Sequence, residues 1–191
     1  IADAQGAAVF LVGGAVRDCL RGILEPRDCD FVVDGDVAAF AERFALAVNG
    51  TVIPWDRDQI RLVYSGSGGR VCCDFSRLRG GDIRQDLRLR DFTVNACAIA
   101  LEDLGESDTP AIIDPCNGVR DLRDGRLVCC GPSCFADDPV RMLRALRIEP
   151  VHDVESAASA SDLEKVVAAS REAGSISPEL SLVIDRILDF P

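Results

Sequence analysis

Two carboxylates one residue apart, at the head of an apolar strand, constrain this chain most. They stand in Asp28-Cys29-Asp30-Phe31-Val32-Val33, just after Leu11-Val12-Gly13-Gly14-Ala15-Val16-Arg17-Asp18. The spacing predicts a strand over 9–12, a short helix over 15–21 closed by Gly22, and a second strand carrying the aspartates. Residues i and i+2 of a strand share a face, so Asp28 and Asp30 project together. Adjacent anions repel, and one pKa rises unless a cation sits between them. A hard divalent ion such as Mg²⁺ suits such a pair and leaves coordination sites for phosphate oxygens. Gly13 and Gly14 allow close backbone approach, with N–H groups at a helix start facing an anion. These features point to a metal-dependent site acting on a nucleotide phosphate. Each has a plainer reading: a solvated strand end, a tight turn, and an Arg17–Asp18 surface pair.

The rest of the first half reads as sheet with helices packed on it, an α/β or α+β pattern. Asp36 suits a helix N-cap. Val37, Phe40, Ala41, Phe44 and Val48 follow at helical spacing, with Gly50 ending the run. Residues 51–54 and 59–64 read as strands. The turn Ser65–Gly69 sends 70–75 back as a hairpin arm. Asp74 on that arm is either a third carboxylate for a metal or an ordinary strand-end acid. Residues 79–90 read as a polar, arginine-rich loop. Arg90, Asp91 and Asn95 combine cation, acceptor and amide, enough to hold a ribose or triphosphate; Asp91 equally suits a cap paired with Arg90. Residues 112–114 and 126–130 read as strands. Asp138 then suits the N-cap and Pro139 the first turn of a helix over 140–148. Arg141, Arg144 and Arg147 form one stripe of that helix, opposite Met142, Leu143 and Leu146. Asp138 and Arg141, one turn apart, offer a donor–acceptor edge that could pair with a base; the plainer readings are the N-cap for Asp138 and a solvated helix residue for Arg141. A boundary is expected near Glu149, with helices over 162–173 and 178–188 beyond it.

Composition narrows the function classes. The 191 residues carry a net charge of −11, which does not draw in nucleic acid globally. Lys165 is the only lysine, so nearly all cations are arginines, suited to bidentate phosphate contacts or reflecting codon bias alone. The nine cysteines lack zinc spacing and the single His152 stands apart, so reduced cysteines serving as small apolar residues are expected, as in a cytoplasmic protein. No apolar run is long enough to span a bilayer, and no membrane partner is expected. No export signal stands at the N-terminus, and Ile1 in place of methionine points to a processed or partial chain.

Four ordered motifs carry a resemblance over roughly residues 9–147. Leu11–Asp18 with Asp28-Cys29-Asp30 is similar to Gly-Gly-x-Val-Arg-Asp…Asp-x-Asp. Arg90–Ala96 is similar to Arg-Arg-Asp-Phe-Thr-x-Asn-Ala. Ile113-Asp114-Pro115, Gly118 and Asp121-Leu122 match an Asp-Pro…Gly…Asp-Leu element. Asp137–Arg144 is similar to Glu-Asp-Pro-x-Arg-x-Leu-Arg. The chain thus resembles the head of bacterial-type (class II) CCA-adding tRNA nucleotidyltransferases and poly(A) polymerases.

The resemblance implies the DNA polymerase beta-like nucleotidyltransferase fold, a mixed sheet with helices, as a catalytic head over 1–148. The start of a helical neck and RNA-binding region would follow over 149–191. It implies Asp28 and Asp30 as ligands of two Mg²⁺ ions, with Asp74 a third catalytic carboxylate. Gly13, Gly14 and Arg17 would line the triphosphate, and Arg90, Asp91 and Asn95 would touch sugar and phosphates. Asp138 and Arg141, with Arg144 nearby, would read CTP or ATP. The activity implied is template-independent transfer of CMP and AMP to an RNA 3′ end, with tRNA and nucleoside triphosphates as partners. CCA addition leads, ahead of poly(A) synthesis or partial A- or CC-addition. A non-catalytic nucleotide-binding module is the second class. The sequence departs from the pattern at Leu89 (usually Arg), Asp137 (usually Glu) and Pro150, and the neck pattern is faint in residues 179–185. The family's body and tail are not within these residues.

Overall fold

The computed structural model describes residues 7–23, 28–56, 58–104, 110–152 and 155–156. Five strands come first: β1 (Ala8–Val12), β2 (Asp28–Asp34), β3 (Thr51–Asp56), β4 (Gln59–Gly66) and β5 (Gly69–Arg77). Helix α1 (Gly14–Leu20) joins β1 to β2, and α2 (Val37–Val48) joins β2 to β3. Then come α3 (Ile83–Arg88), β6 (Ala98–Ala100), β7 (Ile112–Ile113), α4 (Gly118–Arg123), β8 (Arg126–Leu127), α5 (Cys134–Asp137), α6 (Val140–His152) and β9 (Glu155–Ser156). The main sheet has order β3-β4-β5-β2-β1-β6-β7. Only β2 and β5 run parallel in it, so the sheet is mixed.

The two faces of β2 explain the layering. Phe31 and Val33 enter the larger core with Val9, Leu11, Leu62 and Phe75. Helix α2 closes that face: Phe40 and Phe44 set their rings edge-on to Phe75, at 5.4 and 5.7 Å between centroids. Asp36 caps α2 by accepting from the amides of Ala38 and Ala39. The helix ends one residue before Gly50, at Asn49, whose φ of 52° places it in the left-handed region. On the opposite face, Val12 and Val32 pack with Leu87, Ala96 and Ala98. That second layer ends short of the start of β2, leaving the sheet uncovered at Asp28 and Asp30.

Two stretches differ from expectation. Residues 79–90 are not all loop: 83–88 are helical, with Asp82 capping by accepting from the Gln85 amide. Leu87 anchors this turn in the core, and two arginines neutralise its buried Asp86. Helix α6 runs past Pro150 to His152; an internal proline removes one hydrogen bond, and the rest of the turn carries on. The helices expected over 162–173 and 178–188, and with them most of the neck, lie outside the described residues. All nine cysteines are free thiols. Among the described residues, no helix is long and apolar enough to cross a membrane.

Candidate functional site

The site begins at the uncovered end of β2. Parallel pairing with β5 sets Asp74 level with Asp30, so three carboxylates occupy two neighbouring strands. Asp30 keeps an exposed surface, yet the protein packed around its carboxyl still raises its pKa most; Arg90 opposes this, and the charges of Asp74 and Asp28 add to it. Gly13 makes this packing feasible. It holds φ at 72°, and a Cβ there would lie 3.0 Å from the Asp30 Oδ2 atom. Only glycine fits comfortably in that conformation and space.

Asp74 is differently placed. Arg61 donates to both its carboxylate oxygens, each at 2.7 Å. Among the described residues, no group of three or more His, Cys, Asp or Glu side chains is arranged to hold a metal. The donor set nevertheless fits Mg²⁺, which is commonly bound by one or two carboxylates with water and substrate phosphates rather than by an all-protein cage. Asp28 and Asp30 supply such a pair, and their mutual repulsion favours a cation between them.

Cations approach this end on fixed mounts. Buried Asp86, 1% exposed, accepts from the Arg79 backbone and side chain and from Nε and a terminal nitrogen of Arg90. Arg90 is thereby held beside Gly13 and Asp30. Arg17 donates to the Asn95 side chain at 2.7 Å, tying the first motif to the second. Asp91 accepts from the Phe92 amide and, at 2.6 Å, from Arg144. Thr93 donates to Asp121, while Asp114 accepts from the amides of Cys116, Gly118 and Val119. Gly118 lies so close to the Thr93 carbonyl that a Cβ would fall 1.9 Å from its oxygen. The Asp-Pro…Gly…Asp-Leu element is therefore a brace for the Arg90–Ala96 segment.

The start of α6 forms another wall. Asp138 accepts from the Val140 amide, as its N-cap position predicts. Arg141 donates to the Leu89 and Cys134 carbonyls and lies 3.9 Å from the Asp138 carboxylate. The Leu89 contact uses backbone only, so the family's usual arginine side chain is not needed for it.

These parts enclose a cleft of about 690 Å³. Of the residues singled out in the sequence, Asp30, Asp74, Arg90, Asp91, Asp138, Arg141 and Arg144 line it. Asp28, Gly13, Gly14, Arg17 and Asn95 do not; Asp28 is exposed at the start of β2, and Asn95 is buried. Sequence reasoning missed Trp55, Arg61, Arg79 and Asp86. Arg61 had a signal: a hairpin turning between Gly66 and Gly69 places residue 61 opposite 74. Asp86 had none within its run of charges.

The model of the poly(A) polymerase head domain family matches residues 9–79 and 56–128. A CC-adding tRNA nucleotidyltransferase of Geobacter sulfurreducens is 37% identical over 153 residues, covering 78% of this chain and 33% of that protein. An A-adding enzyme of Aquifex aeolicus is 34% identical over 151 residues, 72% of this chain and 18% of its own length. Solved CCA-adding enzymes with ATP and with CTP each superpose with a TM-score of 0.79 at 32% identity, over 98% and 100% of this chain and 45% and 46% of theirs. The Thermotoga maritima CCA-adding enzyme complexed with tRNA gives a TM-score of 0.76 at 32% identity, over 100% of this chain and 45% of that one. The chain spans less than half the length of each of these relatives.

Proposed function

The chain belongs to the poly(A) polymerase head-domain family of tRNA nucleotidyltransferases, and from that premise we propose that it is the catalytic head of an enzyme adding CMP and AMP to tRNA 3′ ends. The observation that carries this reading is the single cleft holding Asp30, Arg90, Asp138 and Arg141 together. The similar enzymes solved with ATP and CTP support nucleoside triphosphates as substrates, and the tRNA complex supports the acceptor.

Asp28 and Asp30 would hold Mg²⁺, which when bound lowers the pKa of the attacking hydroxyl and stabilises charge on the phosphates. Arg90 and Arg144 balance phosphate charge at the positions where Asp86 and Asp91 fix them. Asp138 and Arg141 present an acceptor and donors to the base edge of CTP or ATP. Backbone carbonyls hold Arg141 before any base arrives, so little ordering is left to binding. No protein nucleophile is required, because positioning and charge stabilisation carry phosphoryl transfer.

The test supplies the full-length protein with tRNA lacking its 3′ end, and CTP, ATP or both. Ordered addition ending after three nucleotides establishes the full reaction. Two cytidines or one adenosine identifies a partial enzyme, and an open-ended adenosine ladder identifies a poly(A) polymerase. Absence of incorporation, with the protein folded and Mg²⁺ present, overturns the reading. Arg141→Ala is expected to blur the preference for CTP and ATP over UTP and GTP; an unchanged preference rejects its role at the base edge.

A further inference from the structure

The cleft has a side that the transfer reading leaves unused. Its helical side carries Asp138 and Arg141, assigned above to the incoming base. Its strand side is formed from β3, β4 and β5, and there Trp55 lines the cleft. Trp55 is the only tryptophan in the chain and is 66% exposed. Its placement comes from the backbone. β3 is an edge strand, and its register with β4 shifts between Pro54 and Asp56, leaving Trp55 as the unmatched residue of a bulge. Bulges on edge strands re-aim a side chain. Here the indole meets Arg61, whose guanidinium carbon lies 4.7 Å from the ring centroid. Arg61 is itself held by both oxygens of Asp74. The chain Asp74–Arg61–Trp55 thus fixes a large aromatic surface beside the carboxylates while leaving much of it open to solvent.

The guanidinium of Arg61 over the indole braces the ring in place. Unpaired nucleobases stack on such rings with little sequence preference. The acceptor must bring its 3′ hydroxyl to Asp28 and Asp30 while the nucleotide base occupies the helical side, so the strand side is where its last base has room. We propose that Trp55, braced by Arg61, is a stacking platform for the 3′-terminal base of the acceptor RNA. The proposal rests on the transfer function above and adds a subsite to it.

The test compares the full-length protein with Trp55→Ala and Trp55→Phe. The probes are tRNA lacking its 3′ end and the same RNA with an abasic 3′-terminal nucleotide. Binding is read by fluorescence anisotropy without nucleotide, and incorporation by steady-state kinetics. Trp55→Ala is expected to weaken RNA binding and raise the KM for RNA about tenfold or more, the size of one base stacked on an aromatic ring. The KM for CTP and ATP should hold, and Trp55→Phe should recover most of the loss. On the abasic RNA, wild type and Trp55→Ala should bind alike. Unchanged RNA binding, an equal loss on abasic RNA, or a shift in nucleotide KM instead overturns the platform. If the wild type binds RNA but incorporates nothing, the transfer reading fails, and the binding comparison still decides whether Trp55 stacks a terminal base.

Discussion

The head of β2 and the segment 90–95 both serve the same cleft, yet they are built on opposite electrostatic terms. The carboxylates of Asp28 and Asp30 accept no hydrogen bond from the other described residues, and Asp30 ionises against desolvation and the charges of Asp74 and Asp28. In 90–95, Asp91, Thr93 and Asn95 are each at most 6% exposed, and every one is hydrogen-bonded. No buried side-chain polar atom among the described residues lacks a partner. A pair of mutually repelling carboxylates suits an incoming cation, while saturated polar side chains hold the geometry around it.

Substituting Asp30 gives the widest separation between the two regions. Asp30→Asn is expected to lower nucleotide incorporation by roughly 10²–10³-fold, the order seen when one preorganised charge-stabilising group is lost. It should also make the fold more resistant to urea at pH 7 without Mg²⁺. The raised Asp30 pKa means the folded state binds its proton more tightly than the unfolded chain does. That contribution is complete below the ordinary carboxylate range and is lost as pH rises through the elevated value. The variant's advantage should thus appear at neutral pH and fade toward pH 4. Urea midpoints at both pH values, beside incorporation rates, check this; a variant less stable than wild type at pH 7 would make Asp30 part of the scaffold.

Gly118→Ala probes the saturated region. Its Cβ would strike the Thr93 carbonyl oxygen, which is backbone and cannot swing away. A loss of about 3 kcal/mol, the upper end of overpacking costs, is expected in denaturant unfolding. Asp86→Ala comes next. It strips the partner from Arg79 and Arg90, but Arg79 is about half exposed and recovers water. The expected loss is about 2 kcal/mol, below that of a fully buried pair. The nucleotide KM should rise with it, because Arg90 loses its mount. An unchanged KM would place Asp86 in the scaffold alone.

The same contrast decides what the sequence made legible. Asp28 and Asp30 could be read directly because period-two alternation puts neighbouring charges on one face. The order of motifs supplied the fold, and capping chemistry supplied Asp138. The Arg17–Asn95 bond was not legible, since each residue was expected at the nucleotide and their pairing spans 78 positions. Nor was α3, whose charged run looks solvent-facing until the burial of Leu87 and the two arginines around Asp86 are known. Spacing reports which face a residue takes on its own element; it does not report which distant partner satisfies it.

Cys97 offers the gentlest probe of the saturated region. It is fully buried beside Gly118, and burial together with the Asp114 charge pushes its thiol up to about 12. The thiolate is the nucleophile, so a thiol that stays protonated and covered does not react. Native protein treated with iodoacetamide at pH 8.5 should leave Cys97 unlabelled, and labelling should rise only with global unfolding. The sign for stability is the reverse of the usual carboxylate case: the thiol's contribution is complete below about pH 9 and lost as pH rises toward 12. Peptide mass spectrometry across a urea series reads the protection. Labelling of Cys97 below the unfolding transition would show that the 114–121 brace opens on its own, and the second region would then be a moving part of the cleft rather than its rigid frame.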